Sequence, residues 1–206
     1  MPTPLLLVTE APVTADRFDS AVATWSRHLD RPAGARLYRS LESSALLELR
    51  PLDSLADLET LRPAWNKLWT DLAPELSADV HRQVVEFVEA PKNTDEALPT
   101  TPFVQLRRVE VRPPVLDEYR AWRDRTIFET VRAADESEVF LAYHSLLSTE
   151  PGVLFVAGFS VAPAVHNAVF KTPAYEAILT EVREKYIIAE GGEGGLHTTT
   201  YSLVEA

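Results

Sequence analysis

Apolar residues along this chain fall into two alternating kinds of pattern. Short blocks in which neighbouring residues are all apolar, such as residues 5–8 and 153–156, read as strands buried on both faces. Stripes with spacings of three and four read as amphipathic helices. Phe18, Ala21, Val22, Trp25 and Leu29 form the first stripe. Asp16 lies near its start, where a carboxylate suits the helix dipole, and Pro32 and Gly34 end it. Residues 35–41 and 45–49 follow as strands on either side of a Glu42-Ser43-Ser44 turn. Leu58, Leu61, Trp65, Leu68 and Leu72 make a second stripe, and residues 82–89 a closing strand. The order is β-α-β-β-α-β.

The same order then returns. Residues 103–111 read as a strand stopped by Pro113-Pro114, and residues 116–134 as a helix. Strands over 139–147 and 153–161 flank a Glu150-Pro151-Gly152 turn. Tyr175, Ile178, Leu179, Val182 and Tyr186 form a helix stripe, and Gly191-Gly192-Glu193-Gly194-Gly195 a loop before a last strand over 197–204. Four short matches tie the halves together. Asp16-Arg17-Phe18 matches Asp117-Glu118-Tyr119, and Tyr38-Arg39-Ser40-Leu41 matches Tyr143-His144-Ser145-Leu146. Pro63-Ala64-Trp65 matches Pro173-Ala174-Tyr175, and Val80-His81 matches Leu196-His197. The offsets, 101, 105, 110 and 116, rise in order, as a duplication gives when the second copy gains residues in its loops. Residues 1–92 and 103–206 are therefore expected to be two copies of one unit, joined by a polar, proline-containing linker over 93–102.

Each copy has the order of a ferredoxin-like split unit, whose right-handed crossovers put both helices on one face of a four-stranded antiparallel sheet. A sheet with one wet face alternates apolar and polar residues; here Leu5 and Leu7 alternate with Leu6 and Val8. The second face is thus expected to be covered by the sheet of the other copy. The duplicated pattern resembles the dimeric α+β barrel superfamily, which includes the antibiotic-biosynthesis monooxygenases. The expected fold class is α+β, with tandem ferredoxin-like units closing one barrel within a single chain. The resemblance implies a ligand cavity between sheet and helices. It also implies a choice of activities: cofactor-independent oxygenation of aromatic polyketides, cyclisation, haem degradation, or haem chemistry of the chlorite dismutase type. A fold alone does not decide among them.

Composition removes several classes. The 206 residues contain no cysteine, which excludes disulfides, thiolate catalysis, zinc–thiolate sites and iron–sulfur clusters. A net charge of −11 argues against nucleic acid and against an anionic membrane surface. The apolar run at residues 5–8 is too short for a signal peptide or a membrane span, so a cytoplasmic location is expected. No dinucleotide, phosphate-loop, nucleophile-elbow or zinc-type His-Glu motif occurs, and no metal site is expected.

The candidate chemistry rests on single residues. His144 interrupts the face shared by Phe140, Ala142 and Leu146, and a buried imidazole is a proton carrier near neutral pH. The alternative is a structural histidine bonded to backbone. His197 is a candidate for substrate binding: its strand and that of His144 lie at opposite sheet edges, roughly 14 Å apart, so the two could flank a ligand. It recurs as His81, which points to a shared structural task at the strand entry. His166 lies in a long connection, residues 162–167, that has no match in the first copy. It reads as a base, a haem ligand or a solvated residue. Trp122, Tyr143 and Tyr175 can position an aromatic ring or serve as core. Arg107 and Arg108 face opposite sides of one strand, and Arg107 is the candidate for a substrate carbonyl or carboxylate.

The leading expectation is an enzyme of specialised metabolism without a cofactor, a monooxygenase or cyclase. It would take an aromatic or polyketide-like substrate in a cavity mainly in the second copy, with His144 as base. A haem enzyme ligated by His144, His166 or His197 is the second reading. A non-catalytic small-molecule binding protein is the third, and a homo-oligomer is compatible with all three.

Overall fold

The computed structural model describes residues 1–30, 33–148, 150–188 and 195–205. The first copy folds as β1 (Leu5–Pro12), α1 (Phe18–His28), β2 (Arg36–Ser40), β3 (Ala45–Leu52), α2 (Asp57–Leu72) and β4 (His81–Lys92). The second folds as β5 (Phe103–Val109), α3 (Leu116–Asp124), α4 (Ile127–Ala133), β6 (Val139–Leu147), β7 (Val153–Phe159), α5 (Pro163–Ala168), α6 (Pro173–Lys185) and β8 (Leu196–Leu203). All strand pairs are antiparallel, and they close into a barrel in the order β1-β3-β2-β8-β5-β7-β6-β4. Each copy supplies one four-stranded sheet, and β2–β8 and β4–β6 seal the two seams.

The doubly apolar strands are explained by this closure. One parity, including Leu6, Val8, Leu49, Val104, Leu106 and Val156, fills the barrel interior. The other packs beneath helices, on α1 and α2 in the first copy and on α3, α4 and α6 in the second. Register also fixes which residues are equivalent. Tyr38 stands opposite Leu47 and Tyr143 opposite Leu154. Glu10 stands opposite both Leu47 and His81, and Arg108 opposite both Leu154 and His197. The repeat read from sequence is thus reproduced strand by strand, with Glu10 and Arg108 at one equivalent position.

Two expected elements differ. The helix expected over 116–134 is broken at Thr126, where φ is −130° and ψ −82°. The Thr126 hydroxyl donates to the Trp122 carbonyl at 2.7 Å, competing with the helix ladder, and α4 then starts in a new direction. The connection read as a loop over 162–167 forms α5 and a 3-10 turn, Val169–Lys171. Pro32 and Gly191 to Gly194, expected as a helix stop and a loop, lie outside the described residues.

Residues 97–101 pack closely on the barrel. Leu98 joins the interior cluster, and the Ala97 carbonyl accepts from the Thr3 amide at 3.1 Å. Pro99 and Thr101 cross Gly158 of β7 so tightly that a Cβ there would lie 2.7 Å from atoms of both. Gly158→Ala is therefore expected to cost about 1–3 kcal/mol in urea denaturation. An unchanged midpoint would show that this segment yields freely. Among the described residues no helix is long and apolar enough to cross a membrane.

Candidate functional site

On the helix-facing side of the sheets, one cross-strand pair is shared by both copies in swapped order. Thr9 of β1 faces Arg82 of β4, and Arg107 of β5 faces Thr198 of β8. By register, Leu7 corresponds to Gln105 and Val84 to Thr200. Trp65 of α2 and its counterpart Tyr175 of α6 each lie against the arginine of their own copy.

In the first copy this arrangement leaves an open cavity of about 460 Å³. Leu7, Val84, Leu58 and Trp65 form its apolar wall, with Gln83, Leu147 and Ser148 at its margin. Among the described residues Arg82 is the one charged side chain lining it; the residue is exposed, with its guanidinium 5.1 Å from the Trp65 ring. Partial desolvation pulls the Arg82 pKa down, opposed by the charges of Glu48 and Asp79. Behind it, Glu48 is held by the Trp25 indole N–H at 2.6 Å and by Arg50 Nε at 2.8 Å.

In the second copy, chain fills the corresponding space. Residues 160–172 join β7 to α6, whereas residues 53–56 suffice between β3 and α2. The longer connection lays His166 and Phe170 against the sheet. His166 is fully buried and stacks on Phe159 with centroids 3.8 Å apart. Phe170 lies edge-on to both His166 and Tyr175. What remains between Arg107, Tyr119, Phe155 and Tyr175 is about 10 Å³, barely one water. Among the described residues, then, the space beneath the helix of this pair is open in the first copy and filled in the second, whereas the sequence pointed to a cavity mainly in the second. The second copy's aromatics and histidines gave the sequence more to point at, but they are packed against one another.

The structure brings Arg107, Tyr175 and His166 together. The Tyr175 hydroxyl accepts from Arg107 Nη1 at 2.7 Å, and Gln105 Oε1 accepts from Nη2 at 3.1 Å. Neither nitrogen of His166 has a partner. Burial, then the Arg107 charge, pulls its pKa down to about 4.

The remaining candidates are scattered. His144 does project to the helix side, half-buried, with Nε2 unpartnered. Burial and then the charges of Arg123 and Arg120 pull its pKa down to about 4, with Glu89 opposing. Tyr143, its neighbour on β6, points the other way into the barrel interior, so the two do not share a cavity. His197 is exposed at a barrel mouth on the interior side of β8, so it cannot flank a ligand together with His144. Trp122 is core, between Tyr119 and Tyr186. Sequence reasoning did not single out Arg82, Trp65, Leu7, Leu58 or Val84 as site residues; Leu58 and Trp65 were read only as stripe residues and Leu7 only as part of a strand.

Among the described residues no group of three or more His, Asp or Glu side chains is placed to hold a metal ion. Haem needs an axial donor, and among the described residues no His, Tyr or Met lines the first-copy cavity. His144 and His166 do carry unpartnered nitrogens, but neither lines the first-copy cavity. The described lining of the first-copy cavity therefore does not fit haem.

No family model and no curated protein matches the sequence. Solved structures do match the fold. An anthrone oxidase-like protein superposes with a TM-score of 0.71 at 12% identity, over 98% of this chain and 91% of that one. A monooxygenase candidate from Fusobacterium nucleatum gives 0.69 at 11%, over 99% and 94%. A haem-degrading enzyme from Listeria monocytogenes gives 0.54 at 8%, over 96% and 98%. At these identities the likeness is one of fold. The chain has the α+β barrel fold of proteins related to antibiotic-biosynthesis monooxygenases, with two ferredoxin-like units fused in tandem.

Proposed function

We propose that the protein is a small-molecule enzyme of the monooxygenase or cyclase type, acting on an aromatic, polyketide-like substrate bound in the first-copy cavity. The observation that carries this reading is the open, apolar-walled space of about 460 Å³ between sheet and α2, within the size range of ligand pockets. The anthrone oxidase-like and monooxygenase-candidate structures of the same fold support the reaction type. Trp65 offers an aromatic face, and Leu7, Leu58 and Val84 exclude water from a flat substrate. In a reaction without cofactor, the ionised substrate itself reduces oxygen; one oxygen atom enters the product and the other leaves as water.

His144 fits poorly as the base of this reaction. An imidazole with a pKa of about 4 is unprotonated at pH 7 but too weak to take a proton efficiently. His144→Gln is expected to leave turnover within about twofold, while Leu58→Trp, which fills the cavity from α2, abolishes it. Oxygen uptake and product analysis over a panel of hydroxylated polycyclic aromatics check both. Loss of turnover in His144→Gln with the fold intact would return the chemistry to the second copy.

A second reading, a binding protein without chemistry, is favoured by one observation: among the described residues no histidine or carboxylate lines the cavity. Saturable binding with neither oxygen uptake nor cyclised product would establish it.

A further inference from the structure

The second copy shows how this chain satisfies an arginine placed on the helix side of the sheet beside an aromatic residue. Arg107 is provided for on three sides, by the Tyr175 hydroxyl at 2.7 Å, Gln105 Oε1 at 3.1 Å, and the face of Phe170 at 4.5 Å. In the first copy Arg82 lies over the Trp65 ring and is otherwise exposed to solvent, with the charges of Glu48 and Asp79 acting on it. Among the described residues it makes no side-chain hydrogen bond and no ion pair. Glu48, in the same row of the sheet, has both oxygens engaged, one by Trp25 and one by Arg50.

Three differences in sequence remove what Arg107 has. Trp65 stands where Tyr175 stands and carries no hydroxyl. Leu7 stands where Gln105 stands and carries no acceptor. The segment that brings Phe170 has no counterpart, because residues 53–56 run directly from β3 to α2. Solvent therefore takes those places at Arg82, and a ligand that replaced it with an aromatic ring and an oxygen acceptor would be a phenol.

We infer that Arg82 is the specificity-determining residue of the first-copy cavity and that it selects a hydroxylated aromatic bound as its oxyanion. The ligand ring takes the place that Phe170 fills in the second copy, and the ligand oxygen takes the place of the Tyr175 hydroxyl on the guanidinium. A guanidinium stays charged and presents donors in a planar fork, so it favours phenolate over phenol and over an arene lacking the oxygen. This rests on the first-copy cavity being the ligand site.

Two probes that differ by one oxygen test it: 4-nitrophenol, whose phenolate absorbs in the visible, and nitrobenzene. The full-length protein is titrated with each at a pH where free 4-nitrophenol is largely ionised. The phenolate is expected to bind at least about tenfold more tightly than nitrobenzene, as a charge-assisted hydrogen bond provides. Arg82→Gln should bring the two affinities together while nitrobenzene binding persists, and Arg82→Lys should restore only part of the difference. Trp65→Ala should weaken both probes. If Arg82→Gln leaves the preference unchanged, the inference falls and the cavity reading stands. If neither probe binds the wild-type protein, both fall.

Discussion

Arg108→Ala is expected to lower the folding free energy by about 3 kcal/mol at pH 7, and the charge swap Glu10→Arg with Arg108→Glu to recover most of it. Both side chains point into one end of the barrel. Arg108 Nη2 donates to Glu10 Oε2 at 2.5 Å, and the Tyr201 hydroxyl donates to Oε1. Burial and then the Glu10 charge push the Tyr201 phenol up, so it remains a donor at every ordinary pH. Without Arg108, a carboxylate is left against the apolar interior with one neutral partner. The side chains are 9% and 21% exposed, so the cost falls at the lower end for a broken buried pair. Urea denaturation of the two single variants and the swap measures the coupling. A single-variant cost below about 1 kcal/mol would mean that water already solvates Glu10 there.

The position of this pair bears on why the two units share one chain. Glu10 and Arg108 are equivalent by register, so two identical units would set Glu against Glu or Arg against Arg at this contact. Fusion allows each copy to keep a different member. The same freedom appears on the helix side, where Leu7, Thr9 and Trp65 of the first copy have become, or descend alongside, Gln105, Arg107 and Tyr175. Tyr38 and Tyr143, both buried in the interior with unpartnered hydroxyls, are where the copies have stayed alike.

The fold was legible because closure leaves a mark on each strand separately. Leu5 to Val8 must be apolar on both parities if one parity meets helices and the other meets a second sheet. The duplication added order and direction. The site was much less legible. Which residue faces Arg82 depends on strand register, and register follows from hydrogen-bond pairing across the sheet rather than from any local pattern. The histidines drew attention to the second copy, and His166, Arg107 and Tyr175 do assemble there. The sequence cannot show that the connection carrying His166 is also what fills the space beside them. One signal was available: the long connection over 160–172 against the short one over 53–56 marks which copy is covered and which is open.

His166→Phe is expected to make the protein more stable at pH 7 by about 1–2 kcal/mol and to flatten its stability between pH 7 and pH 4. The imidazole lies flat against Phe159 and edge-on to Phe170, fully buried, with neither nitrogen bonded. A phenyl ring of similar shape keeps those contacts and removes two stranded polar atoms. Burial and Arg107 lower the folded-state pKa to about 4, opposed by the neighbouring Asn167 side chain, which lies outside hydrogen-bond geometry, and by the Glu136 charge. The unfolded value is about 6.5. Between these values the unfolded chain holds a proton that the folded chain refuses. The contribution is therefore complete above about pH 6.5, declines as pH falls, and is exhausted below the folded pKa. A loss on the order of 2–3 kcal/mol from this group is expected in wild type over that window. His144, half-buried and shifted the same way, adds a smaller loss that the variant retains. The difference between wild type and His166→Phe at each pH cancels His144 and the carboxylates. If that difference stays constant from pH 7 to pH 4, His166 accepts its proton without disturbing the packing over Arg107, and the second copy is looser than its close-packed rings imply.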